Sequence, residues 1–322
     1  MCGEVCVVVE TLRGSVTDIT FTMLAAARQI ADGLKTKVTA LLIGHDVQKL
    51  AGELGKANRV VCVGDASLAD FNPEAYLAVL SGMLEQHKPR VVLFGHTAMG
   101  TDLACGLAQR LHVPVATSCR TFTVADGGVQ YSAPTCGGKL IATGPLPEPT
   151  CLATVMPGGY KPDDGRGGQA PAVESVAAPA GLDQVRTKFQ QYIEPPATDV
   201  DIAKQPVLVS VGRGIQNQDN LTVAEKLAEA LGGVVCGSRP VVDQGWLPTT
   251  RLVGKSGKQV KPKLYLAIGI SGAPEHLEGV PEADLILAVN TDAKAPIFDV
   301  AHFGATCNAL ELMPALAEKL TT

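Results

Sequence analysis

The sequence predicts an α/β protein of two domains, each with a mainly parallel sheet flanked by helices, and three observations carry that reading. Short runs of Val, Leu and Ile alternate with helical patterns of roughly ten to fifteen residues in both halves of the chain. The alternation lapses once, over a Gly- and Pro-rich stretch at 157–182. A length of 322 residues suits two domains, each able to bury its own core.

Taken in order, EVCVVVE opens the first strand, because an unbroken run of β-branched residues suits a strand covered on both faces. DITFTMLAAARQIADGL follows with helical spacing, then KVTALLIG as a strand, a helix near 47–55 and RVVCVG as a third strand. PEAYLAVLSGMLEQH reads as a helix with Pro in its first turn, and RVVLFG with GTDLACGLAQRL completes another strand and helix. Residues 1 to about 115 are therefore expected to form a parallel sheet with helices on both faces. After Pro114 the rhythm changes to SCRTFTV, GGVQYSAP and KLIATG, ending in CLATVMP, and these pieces are expected to add antiparallel strands to the sheet edge. PGGYKPDDGRGGQAPAVESVAAPAGL, 157–182, keeps no apolar periodicity and is expected to be a linker. VRTKFQQYIEPP is expected to be a stray strand returning to one of the sheets. From PVLVSVG at 206 the alternation resumes: helix NLTVAEKLAEALG, strand GGVVCG, a short helix after SRP, strand KLYLAIG, a helix from Ser271, strand ADLILAVN, and a last helix around CNALELMPALAEKL. The domains are placed at 1–182 and 183–322.

Composition excludes several classes of function. Hydrophobic residues make up 46% and charged residues 18%, as in a globular chain. The formal net charge of -5, with no run of Lys and Arg, leaves no basic field for nucleic acid or an anionic membrane. The longest apolar runs fall short of the roughly 20 residues of a membrane-spanning helix, so no membrane insertion is expected. MCGEVCVVVE has neither a basic start nor a cleavage site, and a cytoplasmic location is expected. Nine cysteines, an odd number spread over strands and helices, suit reduced thiols. Cys2 and Cys6 have a spacing that metal sites use, but no second Cys or His pair follows, so buried small residues are the better reading.

In an open parallel sheet, ligands sit at the carboxyl ends of the strands. Four such ends are rich in small or polar residues: VGRG at 211–214, CGSR at 236–239, GISGA at 269–273 and VNTD at 289–292. Gly269, Gly272 and Ala273 let main chain approach a ligand closely, and the Ser271 hydroxyl with the first amides of the next helix forms a socket for phosphate oxygens. The competing reading is a tight turn with Ser271 as N-cap. GISGA also approaches the G-x-S-x-G of a serine hydrolase, but Ala273 stands at the fifth position. His276, five residues on, is expected to point away from Ser271 rather than serve as its base. The dinucleotide fingerprint G-x-G-x-x-G is absent, since GRGIQN has Asn217 in place of the third glycine.

The ordered set VGRGI, GSRPVVDQGWLP, VGKSGKQVKPKLYLAIGISGAPEHLEGV and AVNTDAKAPIFDVAHFG resembles the FAD-binding domain of the electron-transfer flavoprotein alpha subunit. The resemblance covers about residues 206–318, and the N-terminal domain with its MPGGYKP segment agrees more loosely. It implies a doubly wound FAD-binding domain at the C-terminus. It places Arg213, Ser238, Arg239, the segment Val253, Gly254, Lys255 and Ser256, the segment Ser271, Gly272, Ala273, Pro274, Glu275 and His276, then Asn290 and the region of Asn308, around FAD. Gly269 and Asp292 belong to the same loops. By this resemblance the break after Gly269 receives the diphosphate, Arg239 lies against the flavin ring and Ser256 offers its hydroxyl to the N5 edge. His276 faces the pyrimidine end, and Asn290 and Asn308 hold the adenosine. A guanidinium keeps its charge and favours an anionic reduced ring, so Arg239 is expected to raise the first reduction potential. Trp246 is expected in the core and His302 is left without a role. His45, His87, His96 and His112 are expected on loops or the surface.

The chain departs from the family pattern in places. It has Glu275-His276 where the family has Gln-His, Pro274 for an aliphatic residue, Lys255-Ser256 for Gln-Thr, and NTD for NKD at 290–292. The new charges on Lys255 and Glu275 are expected to pair across the site. The resemblance implies a carrier without turnover of its own, paired in a heterodimer with an electron-transfer flavoprotein beta subunit. It would ferry electrons from a flavin dehydrogenase, typically of acyl-CoA type as in fatty acid beta-oxidation, to a quinone or other redox acceptor. The 157–182 linker and VRTKFQQYIEPP would let the FAD domain reorient. Alternatives are the flavin component of an electron-bifurcating or stable dehydrogenase complex, and a serine hydrolase built on Ser271.

Overall fold

The computed structural model describes residues 3–136, 140–192, 200–280 and 283–321. They fall into two compact units, Met1–Gln191 and Tyr192–Thr322.

The first unit holds strands β1 (Val5–Val8), β2 (Thr11–Leu12), β3 (Ser15–Val16), β4 (Val38–Gly44), β5 (Arg59–Gly64), β6 (Val91–Gly95), β7 (Val115–Cys119), β8 (Thr121–Ala125), β9 (Gly128–Thr135), β10 (Leu140–Pro145), β11 (Cys151–Val155) and β12 (Ala172–Val176). Its helices are α1 (Asp18–Leu34), α2 (Pro73–His87) and α3 (Ala98–Leu111). Seven strands run parallel in the order β12-β5-β4-β1-β6-β11-β7. The uninterrupted apolar strands are buried along their length because helices cover both faces. Side chains cap two helix starts: the Asn72 side chain accepts from Glu74 and Ala75 amides ahead of Pro73, and the Thr97 hydroxyl accepts from Gly100.

Three expectations need correction here. The pieces after Pro114 do not add antiparallel strands to the main sheet. Residues 121–145 form a separate three-stranded antiparallel sheet, β10-β9-β8, while β11 returns as an inner parallel strand between β6 and β7. The stretch 157–182 is not slack between the units: Ala172–Val176 pairs with β5 as an edge strand, and Leu182 joins the core. Its glycines are there for contact. A Cβ at Gly159, Gly165 or Gly168 would overlap the main chain of Arg120, Phe21 or Gly55 respectively. Residues 185–192 form no strand; instead Arg186 pairs with Glu74, and the Asn72 side-chain amide donates to the Thr187 carbonyl at 2.8 Å. Residues 193–196 of that segment lie outside the described residues. His96 lies on the loop between β6 and α3, as expected, half-buried with Nδ1 3.0 Å from Thr154 Oγ1.

The contact at Gly165 makes a direct prediction. Gly165→Ala is expected to lower the first unit's stability by about 1–3 kcal/mol, the usual range for overpacking, because main chain rather than a flexible side chain must yield. A urea midpoint equal to the parent's would contradict this.

The second unit holds β13 (Val207–Val211), β14 (Val234–Gly237), β15 (Leu264–Ile268), β16 (Ile286–Asn290) and β17 (Phe303–Thr306), all parallel, in the order β14-β13-β15-β16-β17. Its helices are α4 (Leu221–Ala230), α5 (Arg239–Asp243), α6 (Pro274–Leu277) and α7 (Ala309–Thr321). The helix expected from Ser271 begins at Pro274 and has four residues. β17 was not expected, since AHFGATC carries few strand-forming residues and all four strand positions are exposed. His302 finds a role here, with Nδ1 accepting from the Ile286 amide at 3.0 Å. Trp246 is partly buried against the α4 side of the core. Among the described residues, no helix is long and apolar enough to cross a membrane.

Candidate functional site

The second sheet starts at β13, adds β14 on one side, then crosses to β15 on the other. The loops leaving β13 and β15 therefore part company at their carboxyl ends, which is where open α/β sheets form ligand crevices. Glycines let the two loops meet first. Gly269, with φ +60°, has its carbonyl bonded by Gly214 N–H at 3.1 Å, and a Cβ on Gly269, Gly212 or Gly214 would overlap the opposing main chain. Gly272, φ +86°, lies against the Ile297 amide, which donates to the Ser271 carbonyl at 3.0 Å. Both conformations are ones L side chains rarely adopt. Ser271, Ala273, Pro274 and Glu275 are exposed beyond this nest, while Arg213 is exposed on the facing loop.

Arg239 opens α5 after β14, and Ser238 precedes it as a buried N-cap residue whose hydroxyl makes no capping bond. The Arg239 fork is held at both ends: Nε donates to Asp243 Oδ1 at 2.7 Å and Nη1 to Ser256 Oγ at 3.1 Å. Two residues placed by the resemblance on one flavin edge are thus in contact. The loop carrying Ser256 is itself fixed. Val253 N–H donates to Gly237 O at 3.0 Å, and a Cβ on Gly254, φ +137°, would press on the Glu275 carbonyl. Lys258 Nζ reaches Asp201 Oδ1 at 2.7 Å.

The expected pairing of Lys255 with Glu275 is corrected. The Lys255 ammonium lies 3.6 Å from Glu278, and Glu275 meets Lys255 only through main chain, its carbonyl accepting the Lys255 N–H at 2.7 Å. One turn of α6 carries Glu278 to the place where Glu275 was expected. With side chains 63% and 32% exposed, this pair is worth at most about 0.5–1 kcal/mol. Lys255→Gln is accordingly expected to leave the denaturation midpoint within error, and a loss above 1 kcal/mol would refute that assignment.

Asn290 and Asn308 spend their side chains within the protein. Asn290 Nδ2 donates to the Ile270 carbonyl at 2.8 Å while its Oδ1 accepts from the Asp292 amide, and Asp292 in turn accepts from Lys294. Asn308 accepts from the Leu310 amide at the start of α7 and donates to Glu311. They shape the rim of the crevice as struts.

His276 is the most buried of the polar residues in these loops, at 6% exposure. Its Nε2 lies 2.8 Å from the Tyr265 hydroxyl. Its Nδ1 is sealed from solvent without a hydrogen-bond partner of ordinary geometry, although the Val253 carbonyl lies close enough to favour the charged ring slightly. It does not touch Ser271 as a base would. Burial dominates and brings the His276 pKa down to about 4 from 6.5. Between pH 6.5 and about 4 the unfolded chain binds a proton here that the folded chain refuses. Stability therefore rises with pH through that window and is lost on acidification, by about 3 kcal/mol in all. His276→Gln is expected to abolish that one-proton slope; an unchanged slope would show that another group carries it.

Sequence reasoning overlooked Asp243, Glu278 and Tyr265. The i,i+4 spacing of Arg239 and Asp243 was the available signal for the first; the other two meet their partners through the fold alone. Among the described residues no group of three His, Cys, Asp or Glu side chains is placed to hold a metal, and eight cysteines are free, five of them buried. For a flavin dinucleotide the fit is favourable on three counts: strand-end loops nested main chain to main chain through glycines, hydroxyls at Ser238 and Ser271 beside helix starts, and a buried nitrogen on His276 without a hydrogen bond of ordinary geometry.

Comparison with known proteins agrees with this geometry. Residues 5–180 match the family model described as "Electron transfer flavoprotein domain", and 201–281 match "Electron transfer flavoprotein FAD-binding domain". The chain is 35% identical to an electron transfer flavoprotein subunit alpha of Syntrophomonas wolfei, covering 97% of both chains. It is 34% identical to the acryloyl-CoA reductase electron transfer subunit beta of Anaerotignum propionicum, over 98% of this chain and 95% of that one. It is also 35% identical to the protein FixB of Azorhizobium caulinodans, over 98% and 88%. With two matching domains in order and relatives alike over nearly the full length, the chain belongs to the electron transfer flavoprotein alpha subunit family.

Proposed function

We propose that this chain is the FAD-carrying alpha subunit of a cytoplasmic heterodimer. It takes electrons from a flavin dehydrogenase, of acyl-CoA type, and passes them to a quinone or another redox acceptor. The observation that carries the reading is the switch point between β13 and β15, where Gly212, Gly214, Gly269 and Gly272 let the loops nest and where, after the neighbouring β14, Arg239 is held against Ser256. The cofactor, when bound, supplies the electron chemistry. The chain's own residues bind and bias it: Ser271 and the amides beyond Gly269 take the diphosphate, and Arg239 sets a fixed cation beside the ring. Asp243 and Ser256 hold that guanidinium in one plane. A beta subunit paired with the N-terminal domain, placed at 1–182 from the sequence, completes the carrier.

The acyl-CoA assignment draws support from the relative named as a subunit of acryloyl-CoA reductase. The same name favours a second reading, a flavin component held in a stable dehydrogenase complex or one that splits electron pairs. The test is the absorption spectrum and flavin content of the chain purified with the product of its neighbouring gene. One FAD per heterodimer supports the plain carrier, two favour bifurcation, and a colourless complex ends the flavin reading.

A further inference from the structure

The β15 residue Tyr265 is fully buried and carries the one phenol that reaches His276. Ser210 on β13, equally buried, lies beside it without a hydrogen bond of ordinary geometry. From this cluster we propose that Tyr265 is a positioning residue that sets the tautomer of His276: its O–H donates to Nε2, so the single ring proton sits on Nδ1. Nδ1–H is then the donor available to a carbonyl of the bound cofactor. This inference rests on the flavin reading given above.

A phenol in this environment keeps its hydrogen, since burial pushes the Tyr265 pKa well above 10. A buried O–H that fails to donate costs about 1–3 kcal/mol, and the acceptor at hydrogen-bond distance is His276 Nε2 at 2.8 Å. His276 is neutral at pH 7 because burial lowers its pKa to about 4, so it has one N–H to place. With Nε2 occupied as acceptor, the hydrogen goes to Nδ1. That nitrogen, like Ser210 Oγ, is a buried polar atom without a hydrogen bond of ordinary geometry; the Val253 carbonyl lies near it, and so poorly paired a donor is a cost the protein carries until a better acceptor arrives. The opposite tautomer would set two hydrogens against each other across 2.8 Å or force the phenol to turn toward Ser210. The isoalloxazine pyrimidine ring, rich in carbonyl oxygens, is the part of the cofactor that meets this requirement.

The test uses the full chain copurified with its beta subunit, labelled with 15N-histidine. The His276 signals are assigned by their loss in His276→Gln. Before FAD is added, the parent is expected to show a protonated Nδ1 and an unprotonated Nε2. Titration with FAD should then move the Nδ1 resonance far more than Nε2. Tyr265→Phe, which keeps the ring and removes the hydroxyl, should bring up the Nε2-protonated form and weaken FAD binding at least tenfold. An Nε2-protonated parent overturns the proposal, as does a Tyr265→Phe spectrum with the parent's tautomer. If Tyr265→Phe fails to fold, the parent's tautomer decides alone. A parent that binds no FAD refutes the flavin reading and with it the donor's target, while the tautomer measured without FAD still decides whether Tyr265 sets it.

Discussion

Gly269→Val is expected to give a complex without flavin colour, destabilised by about 2–5 kcal/mol. Two costs add. A β-branched residue held at φ +60° loses about 1–2 kcal/mol of backbone energy, and its Cβ must also displace Gly214 main chain, for about 1–3 kcal/mol of overpacking. Against a typical total of about 5–15 kcal/mol, the unit still folds but the nested loops part. The control is Gly232→Ala. Gly232 also has a positive φ, +66°, but open space around it, so its replacement costs about 1 kcal/mol of backbone energy and should leave the flavin in place. A yellow Gly269→Val complex with the parent's FAD affinity would show that the nest does not form the binding floor.

Arg239→Gln is expected to bind FAD but lower its first reduction potential by about 60 mV or more, one tenfold step in a one-electron equilibrium. A guanidinium stabilises negative charge added to the ring, and glutamine leaves only a dipole. Asp243 sharpens the test. Its carboxylate takes Arg239 Nε at 2.7 Å and offsets part of the cation's field, so Asp243→Asn should move the potential the other way. Both side chains are more than half exposed, so the shift in Asp243→Asn should be the smaller and should shrink with added salt. Spectroelectrochemical titration of the three proteins side by side decides it. Equal potentials in parent and Arg239→Gln would remove Arg239 from the flavin's surroundings.

Much of the fold could be read from the strings of Val, Leu and Ile, because strands covered on both faces must be apolar throughout and helices between them must repeat at their own period. The failures share a cause. CLATV looks like one more piece of the antiparallel run before it, and only the register against Val91–Gly95 shows that it belongs inside the main sheet. β17 is invisible because an exposed edge strand asks nothing of composition. At the site, the glycines could be picked out because the close main-chain approach they permit restricts residue type. Tyr265, fifty-five positions from Ser210 and eleven from His276, could not, since its part depends on an oxygen-to-nitrogen distance across two elements. Asn290 and Asn308 add what the sequence did not show, namely hydrogen bonds that shape their own loops.

The glycine-rich stretch from 157 to 168 has a consequence for anyone redesigning the chain. It behaves as lacing, drawn tight through eyelets at Phe21, Gly55 and Arg120, rather than as spare rope. Splicing it shorter, or padding it with serine and alanine, would unfasten the amino-terminal half.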